Sequence, residues 1–591
     1  MKTRRQVLII FLACITVVVL VAGVNYFANP FGAFAKNTWY SYAMTRNPRT
    51  AKISYLQKHH KDYNAYVLGS SGSSPLVKET LDQVTGEKFY NLFYYGADMK
   101  DVLDTAKYIV NNYDVKEIVL PITFSFAEEY DTGEEDIHYM MKPEVTGKSK
   151  ASFYLKYLFA DPLYVNDMRR SYGEKTYTPK VFDVFIPETG NYDKRVRDVE
   201  GIGALTTYLE KYPDYQYEKP QIKLKYMDEF FRDFEECLNF LKEKGVSYKV
   251  LMYPLYESAL KAYSPSETSE FMKRLTEITD FYDFTYTSIS KDPRFFYDTA
   301  HYRNAVGDMM INKIYGKDFY MPDDFGTYVA QGSDYKIKTP AEKKFDTEVK
   351  VLMLHEVCEN PDNYAKINRA KLVELFDKIR DRGYKCLTLK EMEGYVSRGE
   401  SIPDKSVILT FDDGYLSNYD IVYPLLKEYG YTAVYFPIGH SIGKDTYKDT
   451  GVKIIPHYNE DEIKEMFASG VVEFGSHGYD IHQSPKLEEN PRENILKLEG
   501  ESEEHYIEYI KNDIATTLNY FTGLGINIDS MAYPLGVHDD LSDVLVREAG
   551  ITKTFTTEEG SNYLVKGLPQ SMFSLNRYNV YMDTNLDEIF K

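Results

Sequence analysis

The 591-residue chain has one tryptophan and four cysteines, and its 70 Lys and Arg residues are outnumbered by 90 Asp and Glu, for a formal net charge of −20. Each shortage excludes something. Nucleic acid is a poor partner, because phosphate backbones are held by clustered cations. Cys14 lies inside an apolar run, and Cys237, Cys358 and Cys386 are widely spaced with no C-x-x-C, so the chain does not rest on a disulfide framework. No internal repeat is present, which removes solenoids and arrays. The length exceeds what one hydrophobic core usually supports, and two or more domains follow.

What is present begins at the N-terminus. MKTRRQ supplies three positive charges before the unbroken apolar run Val7 to Val24, and Asn25, Tyr26 and Phe27 follow at its end. At 1.5 Å per residue the run spans about 27 Å, close to the hydrocarbon thickness of a bilayer. The positive-inside rule places the N-terminus in the cytoplasm and everything after about residue 28 outside, in a single-pass cell-membrane protein. A cleaved signal peptide is the rival, but the run is long for an h-region and no A-x-A site follows. The 55 tyrosines suit carbohydrate surfaces, since the ring stacks on sugars and the hydroxyl bonds them, although composition bias alone would also supply them.

Beyond the anchor, taken as residues 1–28, the pattern is α/β on both sides of a connector at 317–347 that carries Gly, Pro and charge without apolar periodicity. AYVLGS (65–70), EIVLPI (117–122) and YKVLMY (248–253) are short apolar runs of the buried-strand kind, and VKVLMLH, SVILTF and TAVYFP repeat that character after the connector. Between them lie helical periodicities such as Phe230, Phe234, Cys237 and Leu241, and Leu372, Leu375, Phe376 and Ile379. The expected domains are 29–316 and 348–591, each built on its own parallel sheet.

In the second domain the apolar run SVILTF leads directly into Asp412-Asp413-Gly414, and a later loop reads Ser476-His477-Gly478-Tyr479-Asp480-Ile481-His482. A strand ending in two aspartates delivers carboxylates to the C-terminal rim of a parallel sheet or barrel, where such folds build sites. Two imidazoles and one carboxylate form a three-ligand set that leaves zinc an open position, and the second aspartate is then free to act as a base. Taken singly, adjacent aspartates cap helices and loop histidines are solvated; their joint occurrence at a strand end is what points to chemistry.

These residues resemble the polysaccharide deacetylase (NodB-like) family of carbohydrate esterases. Thr410 to Gly414 looks like its first motif and Ser476 to His482 like its second. The spacing of five between the histidines, where the common form has four, is similar to the poly-N-acetylglucosamine deacetylase branch. Met531-Ala532-Tyr533-Pro534-Leu535-Gly536 is similar to the third motif, with Ala532 where many members carry arginine. The resemblance implies a distorted (β/α) barrel over residues 348–591, a divalent metal (Zn2+, with Co2+ or Ni2+ as alternatives) on Asp413, His477 and His482, and Asp412 as general base. The family's late L-x-H proton donor is missing from SLNRYNVYMD; His355, at the end of the domain's first strand, is nominated in its place, with His538 as the second candidate. Tyr533 and Pro534 would orient substrate, and Arg577 would replace the missing arginine by pairing with Asp412.

The first domain carries a second constellation. YVLGSSGSSP places Gly69-Ser70-Ser71 directly after a strand, and FFYDTAHYRN places Asp298 three residues before His301. A nucleophilic serine needs a base and a group that orients the base, and Asp-x-x-His supplies both from one loop. The pairing resembles the SGNH hydrolase superfamily, a three-layer α/β fold, with Ser71 as nucleophile, His301 as base, Asp298 as orienter, and the Ser71 amide and Gly96 as oxyanion donors. The superfamily's asparagine block has no counterpart in LPITFSF. A serine-rich turn with an unrelated Asp and His would read the same way.

The reading that unites these observations is a membrane-anchored, extracytoplasmic enzyme that removes N-acetyl groups from an N-acetylglucosamine-containing cell-surface polysaccharide, with an SGNH-like domain that adds or removes O-acyl groups, in the first case fed by a membrane-bound acyl donor protein. Two alternatives stay open: an O-acetyl xylan or peptidoglycan esterase, and a non-catalytic polysaccharide-binding scaffold.

Overall fold

The computed structural model describes residues 2–34, 47–130, 136–164, 184–186, 188–316, 319–363 and 365–591. The first two positions of the expected connector, 317 and 318, lie outside the described residues. Two compact units are present, one formed by Met1–Lys194 with Lys211–Lys343 and the other by Arg195–Glu210 with Lys344–Lys591.

The first unit opens with the helix Lys2–Ala28, whose stretch Arg4–Ala28 is long and apolar enough to cross a membrane. Its last turn is tied into the unit: the buried Asn25 amide donates to the carbonyls of Leu158 (3.0 Å) and Ala160 (2.8 Å), at the end of the helix Lys150–Leu158. Phe31 and Ala33 then join Phe153, Tyr157 and Ala160 in one apolar cluster.

The sheet of this unit has six strands in the order Phe89–Asn91, Ala65–Val67, Glu117–Ile122, Ser247–Met252, Phe281–Asp283 and Thr327–Val329. All pairings are parallel except the last. Every residue of Glu117–Ile122 is buried, which is why its sequence reads as a continuous apolar run instead of an alternating one. Chain order reverses between Ala65–Val67 and Glu117–Ile122, which makes the carboxyl end of Ala65–Val67 the switch point where doubly wound sheets bind ligands. Thr327–Val329 falls in the stretch read as a connector and closes the sheet edge; at three residues it is too short to show a period.

In the second unit, Ser406–Asp413 pairs in parallel with Asp346–Leu354 on one side and Ala433–Pro437 on the other, and Val472–Phe474 follows. A single bridge from Ser476 to Met531 leads to the pair Ser530–Ala532 and Lys553–Phe555, and a second, from Phe555 to Leu575, leads to Tyr578–Asn579, which pairs with Asp346–Leu354. Followed through the two bridges, the neighbours return to their starting point, and every link is parallel. One apolar cluster gathers Val351, Ile408, Val434, Phe436, Ala532, Phe555 and Leu575 from successive strands, whereas Leu352, Leu409 and Tyr435 pack on the other face against Leu372, Phe376 and Ile379 of the helix Arg369–Asp381. This period-two alternation sends Thr410 and Asp412 to the same side as Ile408.

Residues 195–210, expected within the first domain, pack in this second unit. Ile202 N–H donates to Gln570 O at 3.3 Å, Val199, Ile202 and Tyr208 are buried, and Gly201 comes so close to Phe573 that a Cβ there would meet its carbonyl oxygen at 2.9 Å. The division is therefore not a single cut in the sequence.

Candidate active sites

In the second unit, parallel strands bring their carboxyl ends to one rim, and the proposed residues collect there. Ser406–Asp413 is buried along its whole length, so its two terminal carboxylates are held inside the protein. Asp413 has φ +70° and Gly414 φ +94°, a sharp left-handed turn that Asp tolerates and that Gly414 completes; a Cβ at Gly414 would meet Pro437 at 2.8 Å. Asp413 Oδ1 lies 3.6 Å from His477 Nε2 and 3.9 Å from His482 Nε2, and the three ligand atoms lie within 4.8 Å of one another.

The histidine tautomers follow from their other nitrogens. His477 Nδ1 is 2.8 Å from Ala532 O and His482 Nδ1 is 3.0 Å from Glu493 O. A carbonyl only accepts, so both Nδ1 atoms carry the proton and both Nε2 lone pairs face Asp413. Asp413 Oδ1 is itself buried and without a hydrogen-bond partner in the structure. Burial pushes His477 down to about 4, keeping it neutral. Burial alone would raise Asp413, but His355, His477 and His482 outweigh it and hold the carboxyl at about 2. Two imidazoles with Nε2 turned inward and one carboxylate, whose buried Oδ1 has no hydrogen-bond partner, fit a divalent cation. The loop between the histidines is fastened by Asp513, which accepts from Tyr479 N–H (2.8 Å) and Asp480 N–H (2.6 Å) and is raised to about 6 by its burial.

Asp412 points to the other side of the strand, where Arg577 meets it with two parallel bonds, Nη1 to Oδ1 and Nη2 to Oδ2, both 2.8 Å. Both side chains are buried, at 0% and 2% exposure. Burial opposes ionisation of Asp412, but Arg577 prevails and keeps its pKa below the usual value. His355 follows the strand end at Leu354, which is in register with Phe411, and it is among the groups that lower the pKa of Asp412 and Asp413. His538 belongs to a different arrangement. Its ring stacks on Tyr533 at 4.8 Å, its Nδ1 donates to Asp543 at 2.9 Å, and Tyr533 Oη donates to the same carboxylate at 2.7 Å. Burial lowers and Asp543 raises the His538 pKa, with a net rise. Tyr533 and Pro534 are buried, so they act as supports of the loop and not as exposed substrate contacts.

In the first unit, Ser71 begins a short turn of 3-10 helix just after Ala65–Val67, at the switch point of the sheet. Ser71 Oγ is 2.9 Å from His301 Nε2, and His301 Nδ1 is 2.8 Å from Asp298 Oδ2. The carboxylate fixes Nδ1 as donor, which leaves Nε2 to accept the serine proton. Asp298 accepts from the His301 ring and from the N–H groups of Ala300 and His301, which hold its pKa below the usual carboxylate value. Tyr94 N–H donates to Gly69 O, so the loop bearing Gly96 (φ +57°) runs beside the Ser71 turn. Thr123, directly after the strand Glu117–Ile122, has a buried Oγ1 with no hydrogen-bond partner in the structure.

Residues 399–554 match the family model described as polysaccharide deacetylase. The C-terminal part of the chain carries a polysaccharide deacetylase domain. The matched stretch holds Asp412, Asp413, His477, His482 and His538; His355 and Arg577 lie outside it. The chain is 26% identical over 216 residues to the poly-beta-1,6-N-acetyl-D-glucosamine N-deacetylase of Escherichia coli (strain K12), an alignment that takes in 33% of this chain and 32% of that protein. It is 27% identical over 198 residues to the enzyme of the same name from Staphylococcus aureus (strain MSSA476), covering 33% of this chain and 62% of that one. The chain thus spans less than two thirds of either relative. Among solved structures, IcaB from Ammonifex degensii is similar at 26% identity, with a TM-score of 0.33, over 40% of this chain and 93% of that one.

Several site-building residues carry no motif. Asp513 fastens a loop from a distant helix and Asp543 one from the helix that follows it, and in the first unit Arg49 donates to Tyr95 O (2.9 Å) and Gly96 O (2.8 Å) while Tyr253 Oη lies 3.2 Å from Ser70 Oγ. Only the tight packing of Tyr253 against Gly72, where a Cβ would clash at 2.2 Å, gives a sequence-level trace, as a small residue inside a serine-rich turn.

Proposed function

We propose that the second unit hydrolyses the N-acetyl groups of an N-acetylglucosamine-containing polysaccharide outside the cell. The observation that carries this reading is the pair of histidines, each locked by a carbonyl so that its Nε2 faces the unpartnered Asp413 oxygen. A divalent ion held by Asp413, His477 and His482, with Zn2+ the first choice and Co2+ or Ni2+ the alternatives, would polarise the acetamide carbonyl and make water a nucleophile near neutral pH. Asp412, kept ionised by Arg577, takes the proton of the attacking water; each of its oxygens still has a lone pair beyond the one given to Arg577. His355 donates a proton to the amine nitrogen as the C–N bond breaks, so that acetate and a neutral amine leave. The names of the E. coli and S. aureus relatives favour a β-1,6-linked polymer.

We propose further that Ser71, His301 and Asp298 form an acyl-serine site for O-acyl hydrolysis or transfer, and that the N-terminal helix is a retained membrane span with both units extracytoplasmic. The triad geometry supports the first, and the charge bias of MKTRRQ the second. Acetate release from N-acetylglucosamine oligomers, acetylated xylan and peptidoglycan tests the substrate class. Release fastest from the glucosamine oligomers is expected; release from xylan or peptidoglycan alone would overturn the assignment.

A further inference from the structure

The helix Lys150–Leu158 has two apolar faces. Phe153 and Tyr157, continued by Ala160, are buried in the cluster that receives Phe31 and Ala33. Leu155 and Phe159, about 200° away around the helix axis, are 51% and 49% exposed, and Leu163 in the turn beyond is 66% exposed. Three exposed large apolar side chains between residues 155 and 163 need a partner more than scattered ones do.

The N-terminal helix supplies a depth marker for this face. Its apolar run from Val7 to Val24 is about as long as the hydrocarbon layer is thick, which puts Asn25 at the hydrocarbon edge and Tyr26 and Phe27 in the interface. Asn25 is completely buried and its amide holds the carbonyls of Leu158 and Ala160. Leu158 O is an orphan carbonyl of the helix end and Ala160 O lies two residues past it, and the N-terminal helix caps both. Phe159 stands between the two held residues, so it is fixed at the depth of Asn25. Lys156 is exposed beside the stripe, where a long side chain can cover apolar surface and reach headgroups.

We propose that Leu155, Phe159 and Leu163 form a second membrane contact, a face that lies in the lipid interface beside the span and clamps the first unit to the bilayer. The inference rests on reading the N-terminal helix as a retained span. An unanchored unit on a flexible stalk would need no such face; a unit whose helix end is capped by the span would carry it there. The occupant is the acyl-chain boundary of the bilayer and not another protein, because Asn25, at the exit of the span, holds the residues on either side of Phe159.

The full chain carries one native tryptophan, Trp39. Trp39→Phe combined with Phe159→Trp, and separately with Leu163→Trp, gives two chains with a single reporter each, so that one folding poorly leaves the other to decide. Both are reconstituted into phosphatidylcholine–phosphatidylglycerol vesicles, plain or with lipids brominated near the headgroup end of the acyl chains. Co-flotation with the vesicles and loss of reporter emission in the brominated lipid are expected. Co-flotation with equal emission in the two lipids overturns the interfacial face and leaves the span intact. Failure to float overturns the span on which the inference rests.

Discussion

In the second unit, His477 and His482 each give Nδ1–H to a backbone carbonyl; in the first, His301 gives it to the Asp298 carboxylate. The difference decides what the opposite nitrogen can do. A carbonyl offers no charge to balance an imidazolium, and in the buried His477 environment the ring stays neutral down to about pH 4, as a cation ligand must. A carboxylate balances the charge, so His301 can accept the Ser71 proton and keep it. His538, with Asp543 on its Nδ1, is of the second kind although it lies in the second unit. Burial differs in parallel: Asp412 and Arg577 are 2% and 0% exposed, whereas Asp298 and His301 are 59% and 31% exposed. The charged pair of the second unit is desolvated, whereas the Asp298–His301 pair of the first is open to solvent.

The largest expected effect separates the two sites. Ser71→Ala should cut O-acyl hydrolysis of an activated ester by about a million-fold in chelator-treated protein, the scale seen when a triad nucleophile is removed. It should leave acetate release from N-acetylglucosamine oligomers unchanged in the metal-loaded chain. Loss of both would show that the units do not act independently.

His355→Ala sharpens the comparison within the second unit. General acid help is worth roughly 100- to 10,000-fold, so amide turnover should fall by that factor with metal content unchanged. Hydrolysis of an activated ester, whose leaving group barely needs a proton, should fall far less. Equal losses on amide and ester would move His355 from proton donor to positioning, and no loss on either would pass the role to His538, whose pKa is already raised by Asp543.

Removing Arg577 tests the desolvated pair. Arg577→Ala leaves Asp412 buried without its partner, and breaking a buried pair in this way costs about 3–5 kcal/mol. Urea unfolding should show that loss in the transition of the second unit; a midpoint within error of the parent would mean that Asp412 is neutral or solvated.

The smallest effect lies at His538. Asp543 raises its pKa above 6.5, so the stability this pair supplies is complete below about pH 6.5 and is lost as pH rises through the raised value. Thermal unfolding followed across that range should show the decline in the parent and a flatter profile in Asp543→Asn. The same slope in both chains would assign the pH dependence to another group.

Much of this arrangement was legible because the strands are buried on both faces. Glu117–Ile122 and Ser406–Asp413 read as unbroken apolar runs, and a run that ends abruptly in Asp-Asp-Gly or is followed by Gly-Ser-Ser announces where a rim lies. The absence of arginine at Ala532 drew attention to Arg577, which the structure sets on Asp412. Other features leave no local mark. Asp513 and Arg49 act by bonding loops more than 30 residues away in sequence, and a single carboxylate or guanidinium on a helix looks like any solvated one. The placement of residues 195–210 depends on Gln570 and Phe573, and that of Asn25 on two carbonyls more than 130 residues away.

Divalent metal measured by mass spectrometry in the purified full chain and in His482→Ala, side by side, tests the central claim most directly. About one zinc, cobalt or nickel per chain is predicted in the parent, as three protein ligands would hold, and none in His482→Ala. A parent without divalent metal that still releases acetate, or a His482→Ala chain with full occupancy, would contradict the account.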